Sequence, residues 1–304
     1  DEATIDFARN EDSEQVYGGK WERYAIESYF SSLDYDYQGK YILRATMRAD
    51  ASSNFGTNYR WGYFPAVSAG WNITDEAFFP QTNAVNYMKL RAGWGRNGND
   101  AAGALEYVST VSGGRNYTFG SNDRLTNGVS PNQISNPDLR WETSEQINIG
   151  VDMRLFKRFS VTLDAYIQNT IDMKTTPPLP AYIGNNAPTA NVGTMNNKGI
   201  DFELGYDNTF GDLNLSVKGN VSYVQNEVTV IGNEAGFVRG AGWGTQGIEV
   251  TRITEGLPIG YLYGYTADGV FQNQTEIDAH TGTDGLLLQP DAVPGDLRFL
   301  DMNN

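Results

Sequence analysis

The chain has 304 residues and a mass of 33.6 kDa, contains no cysteine, and has one histidine, His280, so disulfides, Cys-type metal sites and multi-His metal centres are excluded. A formal net charge of -15 argues against docking on a nucleic-acid backbone, which calls for basic patches. No apolar run reaches the roughly 18 residues of a helical membrane span, but a mean hydropathy of -0.47 leaves a membrane barrel open, because alternating strands hide their apolar residues in the average.

In chain order, residues 21–37 read as a first strand, less cleanly patterned than those that follow. Residues 41–50 alternate with period two: Tyr41, Leu43, Ala45, Met47 and Ala49 against Ile42, Arg44, Thr46, Arg48 and Asp50. Two arginines and an aspartate on one face suit a wet lumen better than a dry core. The stretches 63–73 and 86–96 carry Tyr63, Val67, Ala69, Trp71 and Ile73, then Met88, Leu90, Ala92 and Trp94, on their apolar faces. Residues 143–155, 158–169, 200–209 and 213–222 repeat the pattern, with Ile149, Leu163, Leu204 and Leu215 on one side and Asn148, Asp164, Glu203 and Asn214 on the other. Residues 259–272 read as one more strand.

These segments run roughly 10–14 residues, beyond the 5–6 usual in soluble sheets and enough for a tilted membrane strand. The connectors alternate. Short ones sit at Gln38–Lys40, Lys157–Arg158 and Phe210–Asp212, with a medium one at Asp75–Val85; long ones sit at 51–61, 98–140, 174–197 and 231–258. Short turns on one side and long loops on the other is the outer-membrane barrel arrangement. A soluble β-sandwich also alternates and stands as the alternative.

Leu43, Ile149, Leu163 and Leu215 are therefore expected to face lipid, and Arg44, Asn148, Asp164 and Asn214 the lumen. Trp21, Tyr35, Tyr37, Trp61, Tyr63, Trp141 and Phe210 are expected in two belts near the strand ends, where amphipathic rings favour the headgroup level. The loops 98–140 and 231–258 are expected on one, extracellular side.

Few motifs carry chemistry. GWGTQG (242–247) fits the dinucleotide pattern formally, but the strand-like IEVTRI follows where a helix is needed. Trp243 in that loop is a candidate to stack on a ligand ring, or packs on its own loop. Arg115, Asn116, Tyr117 and Phe119 lie in a Gly-rich setting; Arg115 and Tyr117 are candidates for saccharide or peptide contact at a barrel mouth, with loop self-packing as the alternative. Asp301 and Asn303 resemble the first oxygen positions of a calcium loop, where a turn serves equally. TPPLP (176–180) is a stiff loop start. Asp201 with Glu203, and Asp152 with Asp164, share faces in a way that suits a wet lumen better than acid–base catalysis. His280 has no partners for a nucleophilic triad. No cofactor, resident metal or enzymatic activity is expected.

Five runs, in order, resemble the SusC/RagA family of TonB-linked outer-membrane proteins: YILRATMRADASSNFG (41–56) with RWGYFPAVSAGW (60–71), NYMKLRAGWGRNGN (86–99), NPDLRWETSEQINIGVD (136–152), NVGTMNNKGIDFEL (191–204) and PGDLRFLDMNN (294–304). The resemblance implies an all-β fold in which residues 1–304 supply roughly nine strands of a 22-stranded antiparallel transmembrane barrel. The family's plug and TonB-contacting segment are absent from these residues, so no energy-coupling residue carries over. The chain, which starts at Asp1 and ends in DMNN, is expected to be a mature or partial product. The implied function is TonB-dependent import of oligosaccharides first, and oligopeptides second, across the outer membrane of a Gram-negative bacterium. The implied partners are a SusD-like surface lipoprotein, the TonB complex through the plug, and outer-membrane lipid. A passive porin, a surface-anchoring barrel and a soluble β-sandwich binding domain are the alternatives.

Overall fold

The computed structural model describes residues 8–9, 16–17, 24–80, 82–103, 106–109, 111–119, 124–126, 128–131, 133–177, 181–233, 235–240, 242–243 and 248–302. They form two compact units, 1–236 with 254–258, and 237–253 with 259–304. Trp21 lies outside the described residues.

The first unit is an eight-stranded antiparallel meander: β1 (Ile26–Tyr37), β2 (Tyr41–Ser52), β3 (Trp61–Asn72), β4 (Val85–Asn99), β5 (Glu142–Leu155), β6 (Phe159–Thr175), β7 (Ala190–Phe210) and β8 (Leu213–Val230). Each strand pairs with the next in sequence. Because opposed residues in an antiparallel pair point to the same side, rows can be followed across all eight strands. One row reads Tyr35, Leu43, Ala69, Ala92, Ile149, Ala165, Ile200, Tyr223. The adjacent row, on the other face, reads Asp34, Arg44, Ser68, Gly93, Asn148, Tyr166, Gly199, Val224. The predicted segregation of Leu43, Ile149, Leu163 and Leu215 from Arg44, Asn148, Asp164 and Asn214 follows from this register.

The apolar face has no covering layer among the described residues. Ile149 is 63% exposed and Val221 64%, and Leu163, Phe202, Val217 and Tyr223 are exposed beside them. A patch this large is incompatible with a soluble monomer; hydrocarbon is the environment it fits. A β-sandwich would bury this face under a second sheet.

The apolar band also has an end. On β6 it runs from Phe159 through Val161, Leu163 and Ala165 to Ile167. The next row on the same face is polar: Glu227, Asn196, Asn169, Glu145 and Arg96 lie side by side across β8 to β4. Phe159 to Ile167 spans about 26 Å of strand, or about 20 Å of height at the ~40° tilt of outer-membrane barrels, close to the height of their apolar band.

At the short-turn end, local chemistry sets the hairpins. Gln38 and Gly39, at φ 57 and 68, form a two-residue turn closed by Lys40 N–H donating to Tyr37 O at 3.0 Å. Phe156 and Lys157, at φ 52 and 59, do the same between β5 and β6, closed by Arg158 N–H to Leu155 O at 3.1 Å. Left-handed conformations at both central positions match the twist of the flanking strands. The medium connector holds a 3-10 turn, Ile73–Asp75, followed by Glu76.

The aromatic expectation holds in part. Tyr37 and Tyr41 stack at the short-turn end with centroids 6.4 Å apart, and Phe210 ends β7 exposed. Tyr29 and Trp61 stack at the opposite end, 6.0 Å apart, with Tyr63 exposed on the same strand as Trp61. Trp141 is a correction. It is buried among Phe55, Phe64 and Leu139, and its indole N–H donates to Arg60 O at 3.1 Å. It precedes β5, so it packs inside the loop assembly instead of on a strand face.

Two further expectations shift. The sheet has eight strands where roughly nine were expected, because 259–272 forms only the short pieces Tyr261–Leu262 and Ala267–Val270. Gly260 at φ 68 breaks the start of that stretch, and the pairing of Ala267–Val270 shifts register between Ala267 and Gly269. The connector predicted at 174–197 shrinks to 176–189, since β6 and β7 run past the membrane band as a paired ladder. Within 191–198 the apolar residues Val192 and Met195 fall on opposite faces among polar and small ones, so alternation could not reveal a strand held by main-chain bonds.

The second unit holds the short strands Phe237–Arg239 and Tyr261–Leu262 and, up to Ile253, Thr251–Thr254 in one small sheet, and Ala267–Val270 paired with Leu297–Phe299. Its helix α1 (Gln274–Ala279) has a reciprocal cap. Asn273 accepts from Glu276 N–H at 3.0 Å, while Glu276 accepts from Gln272 N–H at 3.0 Å. Ile277 of this helix and Phe271 are buried, and His280 Nε2 lies 2.9 Å from Phe299 O. His280 thus has a structural place.

Candidate functional site

The polar face of the sheet carries several ion pairs. Arg91 donates to Asp152 at 2.7 and 3.1 Å and to Asp164 at 3.0 Å, bridging β4, β5 and β6. Arg44 pairs with Asp34, and Arg48 with Asp50 at 2.6 Å. Gly150 lies where a Cβ would stand 3.0 Å from the Arg91 guanidinium, so the missing side chain leaves room for the bridge. The sequence-level pairing of Asp152 with Asp164 is therefore a shared arginine clamp.

At the long-loop end, three connectors are packed together. Phe55 and Phe64 each lie 5.3 Å from Trp141, and Leu139 is fully buried beside them. Ser52 and Tyr24 both donate to Asp100 Oδ2, at 2.7 and 2.9 Å, and Asn54 donates to Asp100 O at 3.2 Å. Asn136 donates to Thr189 O at 2.8 Å, and Gln133 to Ala187 O at 3.3 Å.

The densest polar contact there is centred on Arg140. Its guanidinium holds Asp172 with two bonds, 2.9 and 2.6 Å, and lies 5.7 Å from the Tyr59 ring centroid. Asn191 accepts from Arg140 N–H at 2.9 Å. Its amide donates to Arg140 O at 2.9 Å and Asp172 O at 2.8 Å. Asp172 sits at φ 59, in the irregular stretch where the β6–β7 register shifts between Thr170 and Met173. Hydrogen bonding to Asp172 raises the Arg140 pKa above its ordinary value.

The candidate ligand residues lie in two different units. Arg115 donates to Ser130 Oγ at 3.1 Å, and its N–H to Gly128 O at 3.2 Å. Tyr117 is 66% exposed on the hairpin Tyr117–Phe119/Arg124–Thr126. Both belong to the 98–140 connector. Trp243 belongs to the second unit, where its main chain pairs with Ile248; its side chain lies outside the described residues. Asp301 is half-buried and Asn303 lies outside the described residues. Among the described residues no group of three or more His, Cys, Asp or Glu side chains is placed to hold a metal.

Sequence reasoning missed Arg140, Asp172 and Asn191 as a unit. The signal was present in part, since Arg140 and Asn191 lie within the resembling runs 136–152 and 191–204. Asp172 could not be paired with them without the fold.

Comparison with known proteins agrees with this architecture. A model of the family described as TonB dependent receptor-like, beta-barrel, matches residues 4–284. TonB-dependent receptor P39 of Formosa agariphila is 35% identical over 269 residues, covering 88% of this chain and 24% of that protein. TonB-dependent receptor SusC of Bacteroides thetaiotaomicron is 30% identical over 214 residues, covering 68% of this chain and 21% of SusC. The chain thus spans about a quarter of the length of these relatives. Among solved structures, the RagAB peptide importer in its closed-closed state superposes with a TM-score of 0.71 at 24% identity, over 90% of this chain and 29% of that one, which supports the fold. With a ladder of this register and a family match over nearly its whole length, the chain belongs to the TonB-dependent receptor β-barrel family.

Proposed function

We propose that this chain is one part of the barrel of an active importer that moves nutrients across the outer membrane of a Gram-negative bacterium. The observation that carries the reading is the two-faced sheet. One face is an apolar band of membrane height; the other is lined by ion pairs such as Arg91 with Asp152 and Asp164. The packed connectors at one end make a structured mouth. Energy would enter through a plug and TonB contact supplied by polypeptide outside residues 1–304. A SusD-like surface lipoprotein is the partner expected at the loop end. Oligosaccharides are the first substrate class. Oligopeptides are the second, favoured by the superposition on a structure named as a peptide importer.

The test is uptake by a strain deleted for the full-length protein and complemented with it, supplied with labelled oligosaccharides and oligopeptides, with and without a protonophore. Oligosaccharide uptake that stops with the protonophore is expected. Uptake indifferent to it would replace this reading with a passive porin, and energy-dependent uptake of peptides alone would exchange the substrate class.

A further inference from the structure

We propose that Arg140, Asp172 and Asn191 form a latch that positions the two long connectors of the mouth, 98–140 and 176–189, against each other. The three residues come from the end of one connector, the irregular stretch of β6 and the start of β7. They are held by five hydrogen bonds of 2.6–2.9 Å. Two features mark the contact as a positioning device.

The first is backbone conformation. Asp172 is one of four described non-glycine residues with positive φ, and two of the others form the Phe156–Lys157 hairpin turn. No hairpin requires the conformation at Asp172, where β6 is mid-ladder. A left-handed residue costs free energy and persists where its surroundings impose it. Here the bidentate grip of Arg140 on the carboxylate and the Asn191 bond to the carbonyl hold both ends of the same residue.

The second is what the latch joins. Beyond Arg140, bonds between described residues of the connector and its neighbour include Asn136 to Thr189, Gln133 to Ala187, and Ile134 N–H to Asn186 O at 3.4 Å. The residues farther out are exposed, among them Val111, Tyr117, Leu125 and Val129, with Tyr182 on the facing connector. With these described outer residues exposed, polar contacts such as these help to position both connectors. Arg140 is the strongest anchor, being both charge-assisted and bidentate. It acts on ligands through the loops it positions, so it is a positioning residue. The consequence for uptake rests on the importer reading above; the latch itself does not.

The experiment uses the full-length protein in intact outer membranes. Arg140→Ala and Asp172→Asn should each raise the rate of protease cleavage within 98–140 about tenfold, with the barrel's heat-modifiable gel migration unchanged. Asp172→Asn keeps a side chain tolerant of the left-handed conformation and removes the charge, so it separates the ion pair from the backbone. The double variant should cleave no faster than either single one. Cleavage unchanged in both singles, effects that multiply in the double, or loss of the folded barrel band in Asp172→Asn would overturn the latch. A second readout is uptake, where Arg140→Ala should raise KM with the maximal rate held. Absence of uptake in the unaltered protein would defeat the importer reading alone, leaving the cleavage result to judge the latch.

Discussion

At the scale of single residues, face and depth decide what a side chain does. Leu163 sits midway along the apolar run of β6 between Phe159 and Ile167, level with Val151 and Phe202. Thr162, one residue away, faces the ion-paired side, and its hydroxyl donates to Asp152 at 3.2 Å. A charge at the midplane of the lipid face costs about 2–4 kcal/mol. Leu163→Arg should therefore depress assembly of the full-length protein in a vesicle-insertion assay far more than Thr162→Arg. Equal insertion yields would invert the assignment of faces. Trp141 belongs to the same scale. It fills the cluster with Phe55, Phe64 and Leu139, and Trp141→Ala should cost about 3–5 kcal/mol, as removal of a buried large aromatic does. The loss should appear in denaturant titration of the full-length protein as a lower midpoint.

At the scale of elements, the short turns are held by side chains that tie strand ends to one another. Glu76 accepts from Tyr41 at 2.5 Å and from the Trp71 indole at 3.1 Å, with Lys40 Nζ 3.6 Å away. These groups lower its pKa below the usual glutamate value, the Tyr41 hydroxyl bond being the largest cause. A depressed carboxylate contributes stability above its unfolded pKa and loses it as pH falls through the folded value. Glu76→Gln should therefore lower stability at neutral pH, and the difference from the unaltered protein should vanish at pH values below the folded-state pKa. Melting temperature against pH reads this directly; a difference that persists undiminished in acid would assign the effect to packing. The turns also show why boundaries at this end were legible. Gln38–Gly39 and Gly211–Asp212 are turn-forming pairs between alternating runs. Phe156–Lys157 was legible only through the alternation on both sides of it.

At the scale of the whole molecule, the meander has two edges among the described residues. β1 and β8 each pair with one neighbour in the eight-stranded sheet. In hydrocarbon an unmet backbone group costs several kcal/mol, and a closed barrel is what removes an edge. Residues 1–304 expressed alone should aggregate or be degraded, whereas the full-length protein should purify as a folded barrel in detergent. Size-exclusion chromatography of the fragment settles the point. A monodisperse, ligand-binding product would return the chain to the class of independent β domains.

The alternation in β2 to β8 and the alternating connector lengths determined by themselves that this is a two-faced antiparallel sheet of membrane proportions. Period-two patterning is a local property, and a register slip of one residue would put every apolar side chain on the wrong face. For Leu43, Ile149, Leu163 and Leu215, sequence was sufficient for this reason. The tertiary structure decided what depends on chain segments far apart. It turned Asp152 and Asp164 into two arms of an Arg91 clamp, took Trp141 from the belt into the loop core, and brought Asp172 to Arg140 and Asn191 across 32 and 19 residues. The ends of β6 and β7 beyond the apolar band belong with these. Their hydrogen bonds are made by the main chain, which every residue type carries alike, so no pattern of side chains could announce them.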